Sequence, residues 1–273
     1  VSSPTTLIHR RYSRHVLARL VDEAPDAAVA LTDDHRRSLS ARFRAVPSVE
    51  HRRLDAWLVE RAARPGGPFR WSPTTARRVL GNAALRRMCA DTALTSVEAV
   101  DAEVESQLVR AASGRARTGS LAGWLGGIAD AARALVVAEA ANWATQLQEA
   151  SLTLTQPWSV ANADAYYDVA RARTTLRGRR DLVVARGDDR VLVRVRAGTP
   201  GRSAGPGLRA DLAIDALARP DGLSAARILG LWPEAGVVLG VDGTMADLRA
   251  GARDLVRSAV TLAREQRRHD LAA

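Results

Sequence analysis

The chain has 273 residues, 47% of them hydrophobic and 26% charged, a balance that excludes a disordered chain and allows one large domain or two small ones with a buried core. Its net charge of +10 arises from 40 basic residues against 30 acidic ones, and every basic residue is arginine. The absence of lysine excludes Schiff-base chemistry and lysine general bases, because a guanidinium stays protonated near neutral pH.

The single cysteine, Cys89, excludes an intramolecular disulfide and a cysteine-rich zinc site, and fits a reducing compartment. The basic surplus favours an acidic partner, with nucleic acid ahead of an anionic membrane surface. A solvated basic surface without a specific partner is the alternative. The opening VSSPTTLIHRRYSRHVLARL lacks the apolar run of a signal peptide, and no window approaches a membrane span, so a cytoplasmic protein without a membrane partner is expected.

The first half reads as helices. Residues 12–24 place Val16, Leu17, Leu20 and Val21 on one face, and helices over 33–46 and 48–63 follow, the last with Ser48 as its cap. The cluster RPGGPFRWSP (64–73) breaks the pattern, and Ser72-Pro73 then opens another helix. Thr95 or Ser96 starts a helix to 112 that carries Glu98, Asp101, Glu103 and Glu105 toward its N-terminus, where acids suit the helix dipole. Residues 113–126, rich in Gly, Ser and Arg, read as a linker; the Gly-Lys-Ser/Thr ending of a phosphate loop is missing. An Ala-rich helix, 127–150, is apolar nearly all round.

After Pro157 the period changes to strand alternation, with Gly187-Asp188-Asp189 placed at a hairpin turn. TPGRSAGPG (199–207) reads as a flexible loop, LRADLAIDALAR (208–219) as a helix, AARILGLW and GVVLGVD as strands, and 245–268 as a closing helix. The expected fold class is α+β: a helical region (1–112), a linker (113–126) and an α/β module (127–273) with a small mixed sheet flanked by helices.

That module resembles the RecB-type branch of the PD-(D/E)XK nuclease superfamily. The resemblance covers about half the chain and rests on element order and on the phrase GRRDLVVARGDDRVLVRVRAG (178–198). It implies a restriction-endonuclease-like core and a magnesium-dependent deoxyribonuclease site. Asp181 matches the first metal-binding aspartate, with Gly198 as the closing glycine. Arg194 stands where the second carboxylate belongs, Arg196 where the catalytic lysine belongs, and Ala197 where a threonine is usual. Asp211 and Asp215 occupy the places of a Gln and a Tyr on the following helix, and Glu139 is the nearest candidate for a ligand from the preceding helix.

Magnesium needs hard oxygen ligands, and a guanidinium in place of a carboxylate repels the cation. Alternation puts Arg194 and Arg196 on one strand face, where they suit phosphate or a bidentate pair with Asp181. The expectation is therefore a degenerate nuclease scaffold without catalysis or cofactor, accessory to DNA repair or processing. It binds nucleic acid, DNA above all, through Arg177, Arg179, Arg180, Arg194 and Arg196, with Arg171 and Arg173 nearby. One alternative is an active nuclease whose metal site is rebuilt from Asp181, Glu139 and Asp189. Another is an adaptor that meets a protein partner through its helical half.

Other constellations point to no chemistry. His9, His15, His35, His51 and His269 lack metal-ligand spacing, and Asp33-Asp34-His35 reads as a helix start. Ser113 and Ser120 lack a nucleophile elbow. Trp57, Trp143 and Trp158 read as core. Trp71, with Phe69 and Arg70, either stacks on an unpaired base or packs on a neighbouring helix.

Overall fold

The computed structural model describes residues 7–26, 29–46, 52–55, 59, 70–91, 93–117, 119–151, 158–160, 165–169, 174–186, 189–196 and 198–270. The elements in chain order are β1 (Ile8–Arg11), α1 (Arg14–Asp22), α2 (Asp33–Arg44), β2 (Arg52–Asp55), α3 (Pro73–Ala90), α4 (Ser96–Ala112), α5 (Leu121–Gly127) and α6 (Asp130–Ser151). There follow β3 (Trp158–Val160), β4 (Ala165–Val169), β5 (Thr174–Gly178), β6 (Leu182–Arg186), β7 (Asp189–Val195), α7 (Ala204–Ala218), β8 (Arg227–Trp232), β9 (Val237–Asp242) and α8 (Met245–Asp270).

The helix starts follow local chemistry. Ser72 caps α3, its hydroxyl accepting from the Thr75 N–H, and Pro73 takes the first turn, where its missing N–H costs nothing. Thr95 caps α4 in a capping box: its hydroxyl accepts from the Glu98 N–H, and the Glu98 carboxylate accepts from the Thr95 N–H. Those bonds hold the Glu98 carboxyl below its ordinary range, the Thr95 backbone bond first. Thr32 caps α2, so Asp33 and Asp34 fall in its first turn.

A mixed sheet runs in the order β1-β9-β8-β7-β6-β3, and a smaller one in the order β2-β5-β4. In the larger sheet only β7 and β8 are parallel, joined through α7; all other neighbours are antiparallel. Alternation sends the two faces of this sheet into different cores. Val191, Val193 and Val195 pack with residues of α1, α3, α4 and α6, such as Leu17, Leu80, Val100 and Trp143. Leu192, Ile228 and Leu239 pack on the other side with α2, α7 and α8, through Phe43, Ile214 and Leu255. The result is a mixed α and β structure with helices on both faces of one sheet.

Several expectations shift. The region read as wholly helical supplies β1, which pairs antiparallel with β9, and β2, which pairs parallel with β5. β2 lies inside the stretch expected as helix 48–63; Val59 is helical, while Ser48 and Trp57 lie outside the described residues. The stretch read as a linker contains α5, held by burial of Leu121, Ala122 and Leu125. The stretch read as a loop to 207 is helical from Ala204. Because one core joins α1, α3, α4 and α6 to strands β6, β7 and β8, the boundary at 113–126 is crossed by packing. Among the described residues no helix is long and apolar enough to cross a membrane.

Helices α7 and α8 approach closely enough that their contact depends on Gly251. A Cβ there would lie 2.2 Å from the Arg209 carbonyl oxygen and 2.6 Å from its carbon, both backbone atoms that cannot swing aside. Gly251→Ala is expected to cost about 1–3 kcal/mol, the usual penalty of overpacking, read as a lower urea midpoint with unchanged slope. An unchanged midpoint would show that the two helices part freely.

Candidate nucleic-acid interface

Asp181 precedes β6, and the register of the hairpin sets it beside the C-terminal end of β7. Its N–H donates to the Val193 carbonyl at 3.0 Å, and its Oδ2 accepts from the Val195 N–H at 2.9 Å. Arg194 shares the α7-facing side of β7 with Leu192. Its guanidinium forms a hydrogen-bonded ion pair with Asp211 and lies 3.6 Å from the Asp181 carboxylate. The other Asp211 oxygen accepts from the Arg179 N–H at 3.0 Å. One helical turn on, Asp215 accepts two bonds from Arg190, at 2.8 and 3.4 Å, and meets Arg180 at 3.3 Å.

Arg194 is 3% exposed, Asp181 4%, and Asp211 and Asp215 2% each. Charges this deep are tolerated only when paired. The three aspartates and the guanidinia of Arg180, Arg190 and Arg194 balance in sign, knitting α7 to the sheet. The spacing of Asp211 and Asp215 puts both carboxylates on one face of α7.

This arrangement changes the part expected of Arg194. It is enclosed and neutralised, so it holds the scaffold together, where it was expected to meet phosphate. Asp211 is its hydrogen-bonded partner, with Asp181 farther off. Arg180 likewise faces Asp215. Arg177 is half-buried on β5, opposite Tyr166 on one side and Asp55 on the other. Arg171, Arg173, Asp188 and Ala197 lie outside the described residues.

The carboxylates proposed for a rebuilt metal site do not come together. Glu139 forms an ion pair with Arg77 at 3.0 Å. Asp189 opens β7 at the far end, five residues from Arg194 and so roughly 16 Å along the strand from Asp181. Asp181 itself accepts from the Val195 N–H with Arg194 alongside. This donor set does not suit a divalent cation, and among the described residues no three His, Cys, Asp or Glu side chains gather to hold one.

A second group of charged side chains lies at the same end of the sheet. Arg78, in the second turn of α3, has its guanidinium pulled below its ordinary value, by burial first. Asp181 opposes that shift, while Arg179 and Arg196 add to it. Arg179 and Arg196 therefore each lie within electrostatic reach of Arg78. No carboxylate forms an ion pair with Arg78 among the described residues. Arg179 follows β5, its N–H anchored to Asp211. Arg196 follows β7, its N–H donating to the Leu231 carbonyl at 2.8 Å and its guanidinium 6.0 Å from the centre of the Trp232 ring.

Next to Arg78, Arg77 braces this corner. It bridges Glu139 on α6 and Glu234 in the turn after β8, and Glu234 accepts from the Gly198 N–H at 2.8 Å. Gly198 has φ of 72°, a left-handed value that glycine takes without penalty. Trp71, one of the two fates expected of it, packs against the helical core, and its indole N–H donates to the Gly119 carbonyl at 2.7 Å.

Arg78 and Arg190 were not among the expected site residues. Arg190 carried a usable signal, since strand alternation places it on the same face as Leu192 and Arg194. Arg78 carried none, because only the docking of α3 beside the end of β7 brings it there. The chain matches no family model and no curated protein.

Proposed function

We propose that this chain is a non-catalytic nucleic-acid-binding protein, built on a degenerate RecB-like nuclease domain and acting in the cytoplasm as an accessory to DNA repair or processing. The observation that carries this reading is the convergence of Arg78, Arg179 and Arg196 at the carboxyl ends of the parallel strands β7 and β8. In open α/β sheets, ligands bind in the crevice beyond those strand ends. Arg179 and Arg196 each repel Arg78, and a phosphodiester backbone relieves that repulsion while accepting hydrogen bonds from these guanidinia.

The order of elements supports the same reading. Helix α6 is followed by β3 and the β6–β7 hairpin, in antiparallel succession, then by the crossover helix α7 and the parallel strand β8. A PD-(D/E)XK core is built in that order, with β4 and β5 as an insertion. On this reading Arg194, standing where the second metal-binding carboxylate belongs, has exchanged metal binding for an ion pair with Asp211.

The test is fluorescence anisotropy with labelled single- and double-stranded DNA, alongside a denaturing gel after incubation in magnesium and in manganese. Arg78→Gln is expected to weaken binding about tenfold, as loss of one charge-assisted phosphate contact does. The DNA is expected to stay intact in both metals. Cleavage that disappears in Asp181→Ala would overturn the non-catalytic reading, and equal affinity for Arg78→Gln would overturn the assigned surface.

A further inference from the structure

On the opposite side of the molecule from the helical core, α2 and α8 enclose a cavity of about 250 Å³. Its floor is apolar, made by Leu31, Leu39, Leu217, Leu248 and Ala252, and its rim is cationic, made by Arg42, Arg249 and Arg253. Among the described residues, no acidic side chain lines it. Three acids on these two helices are engaged elsewhere: Asp34 with Arg37, Asp254 with Arg257, and Asp247 with Thr244. Among the described residues, no carboxylate forms an ion pair with Arg42, Arg249 or Arg253.

Arg249 is held in place without being neutralised. Its Nε and a terminal nitrogen both donate to His35 Nε2, at 3.2 and 2.9 Å. A ring nitrogen that accepts there carries its proton on Nδ1, which lies 2.8 Å from the Thr32 hydroxyl. Thr32 caps α2. A chain of hydrogen bonds from the start of α2 thus fixes a full positive charge over an apolar floor. A cation already oriented loses less freedom on binding an anion.

We propose that this cavity binds a small organic anion, with an apolar body on the leucine floor and an acidic headgroup against Arg249, Arg42 and Arg253. The volume falls below the range of about 300–1,000 Å³ typical of drug-sized sites, so the ligand is a compact one. A carboxylate and a phosphomonoester share this chemistry. The site is independent of the DNA-binding surface, and it gives His35 a positioning role that its sequence context does not reveal.

Isothermal titration of the full chain with hexanoate, phenyl phosphate, hexan-1-ol and inorganic phosphate tests it. Saturable binding is expected for hexanoate, phenyl phosphate or both, at least tenfold tighter than for the neutral alcohol or inorganic phosphate. The member that binds identifies the headgroup. Arg249→Gln is expected to weaken it by about tenfold or more, as expected when a charged hydrogen-bonding group is lost. Ala252→Leu, which fills the floor and leaves every charge in place, is expected to abolish it, while Arg196→Gln leaves it unchanged. The proposal fails if neither anion saturates at millimolar concentration, if hexan-1-ol or inorganic phosphate binds equally well, or if both pocket variants bind like the wild type.

Discussion

Arg194→Met is expected to destabilise the fold by about 3–5 kcal/mol, the cost of stranding a buried charge whose partner has been removed. In this variant Asp211 keeps the Arg179 N–H but loses its cation, and Asp181 keeps the Val195 N–H but loses the guanidinium beside it. For a chain of this size the thermal midpoint should fall by roughly 10 °C. The double variant Arg194→Met, Asp211→Asn should recover much of that loss. Asparagine has no charge to strand and still offers an oxygen to the Arg179 N–H. A single variant within about 1 kcal/mol of the wild type would show that water reaches the pair and that it does not organise the core.

The same pair explains how a buried arginine is tolerated at position 194. Arg194 has a carboxylate on the neighbouring helix, one that a Gln would not supply. Asp215 repeats the arrangement one turn later for Arg190 and Arg180. The two aspartates of α7 and the arginines of the hairpin make sense only together, since either set alone would bury uncompensated charge.

How much of this was legible in the sequence varies with the range of the deciding interaction. Helices α3 and α4 were readable because their caps, Ser72 with Pro73 and Thr95 with Glu98, are local. The β6–β7 hairpin was readable because the alternation of both strands lies within one short stretch. β1 was not, because IHRR becomes a strand only by pairing with β9, more than two hundred residues on. Helix α5 was hidden by its glycines, which disfavour a helix locally until Leu121 and Leu125 are buried.

At the site, alternation put Arg194 on the correct face, and position on the following helix brought Asp211 and Asp215 into view. Pairing between them is a tertiary fact that no spacing encodes. Arg78 stands among ordinary helix residues, and its part in the cluster depends on how α3 docks.

The largest effect on binding is expected from Arg78→Gln, Arg179→Gln and Arg196→Gln combined. Each loses a charge-assisted phosphate contact, so affinity for DNA should fall on the order of a thousandfold at moderate salt. Arg194 variants that remain folded should bind as the wild type does, because that guanidinium is enclosed.

The most direct measurement is the dependence of DNA affinity on salt for this triple variant. A second triple, Arg110→Gln, Arg115→Gln and Arg264→Gln, serves for comparison, since it removes the same net charge from exposed positions elsewhere. Counterion release gives a slope of about −0.9 per phosphate contact on duplex DNA, so the first triple should flatten the plot of log affinity against log salt by about 2.7. The second should leave the slope nearly unchanged. Equal flattening by both triples, or none by either, would mean that the arginines at the ends of β7 and β8 hold no phosphate and that the basic charge acts only as a diffuse field.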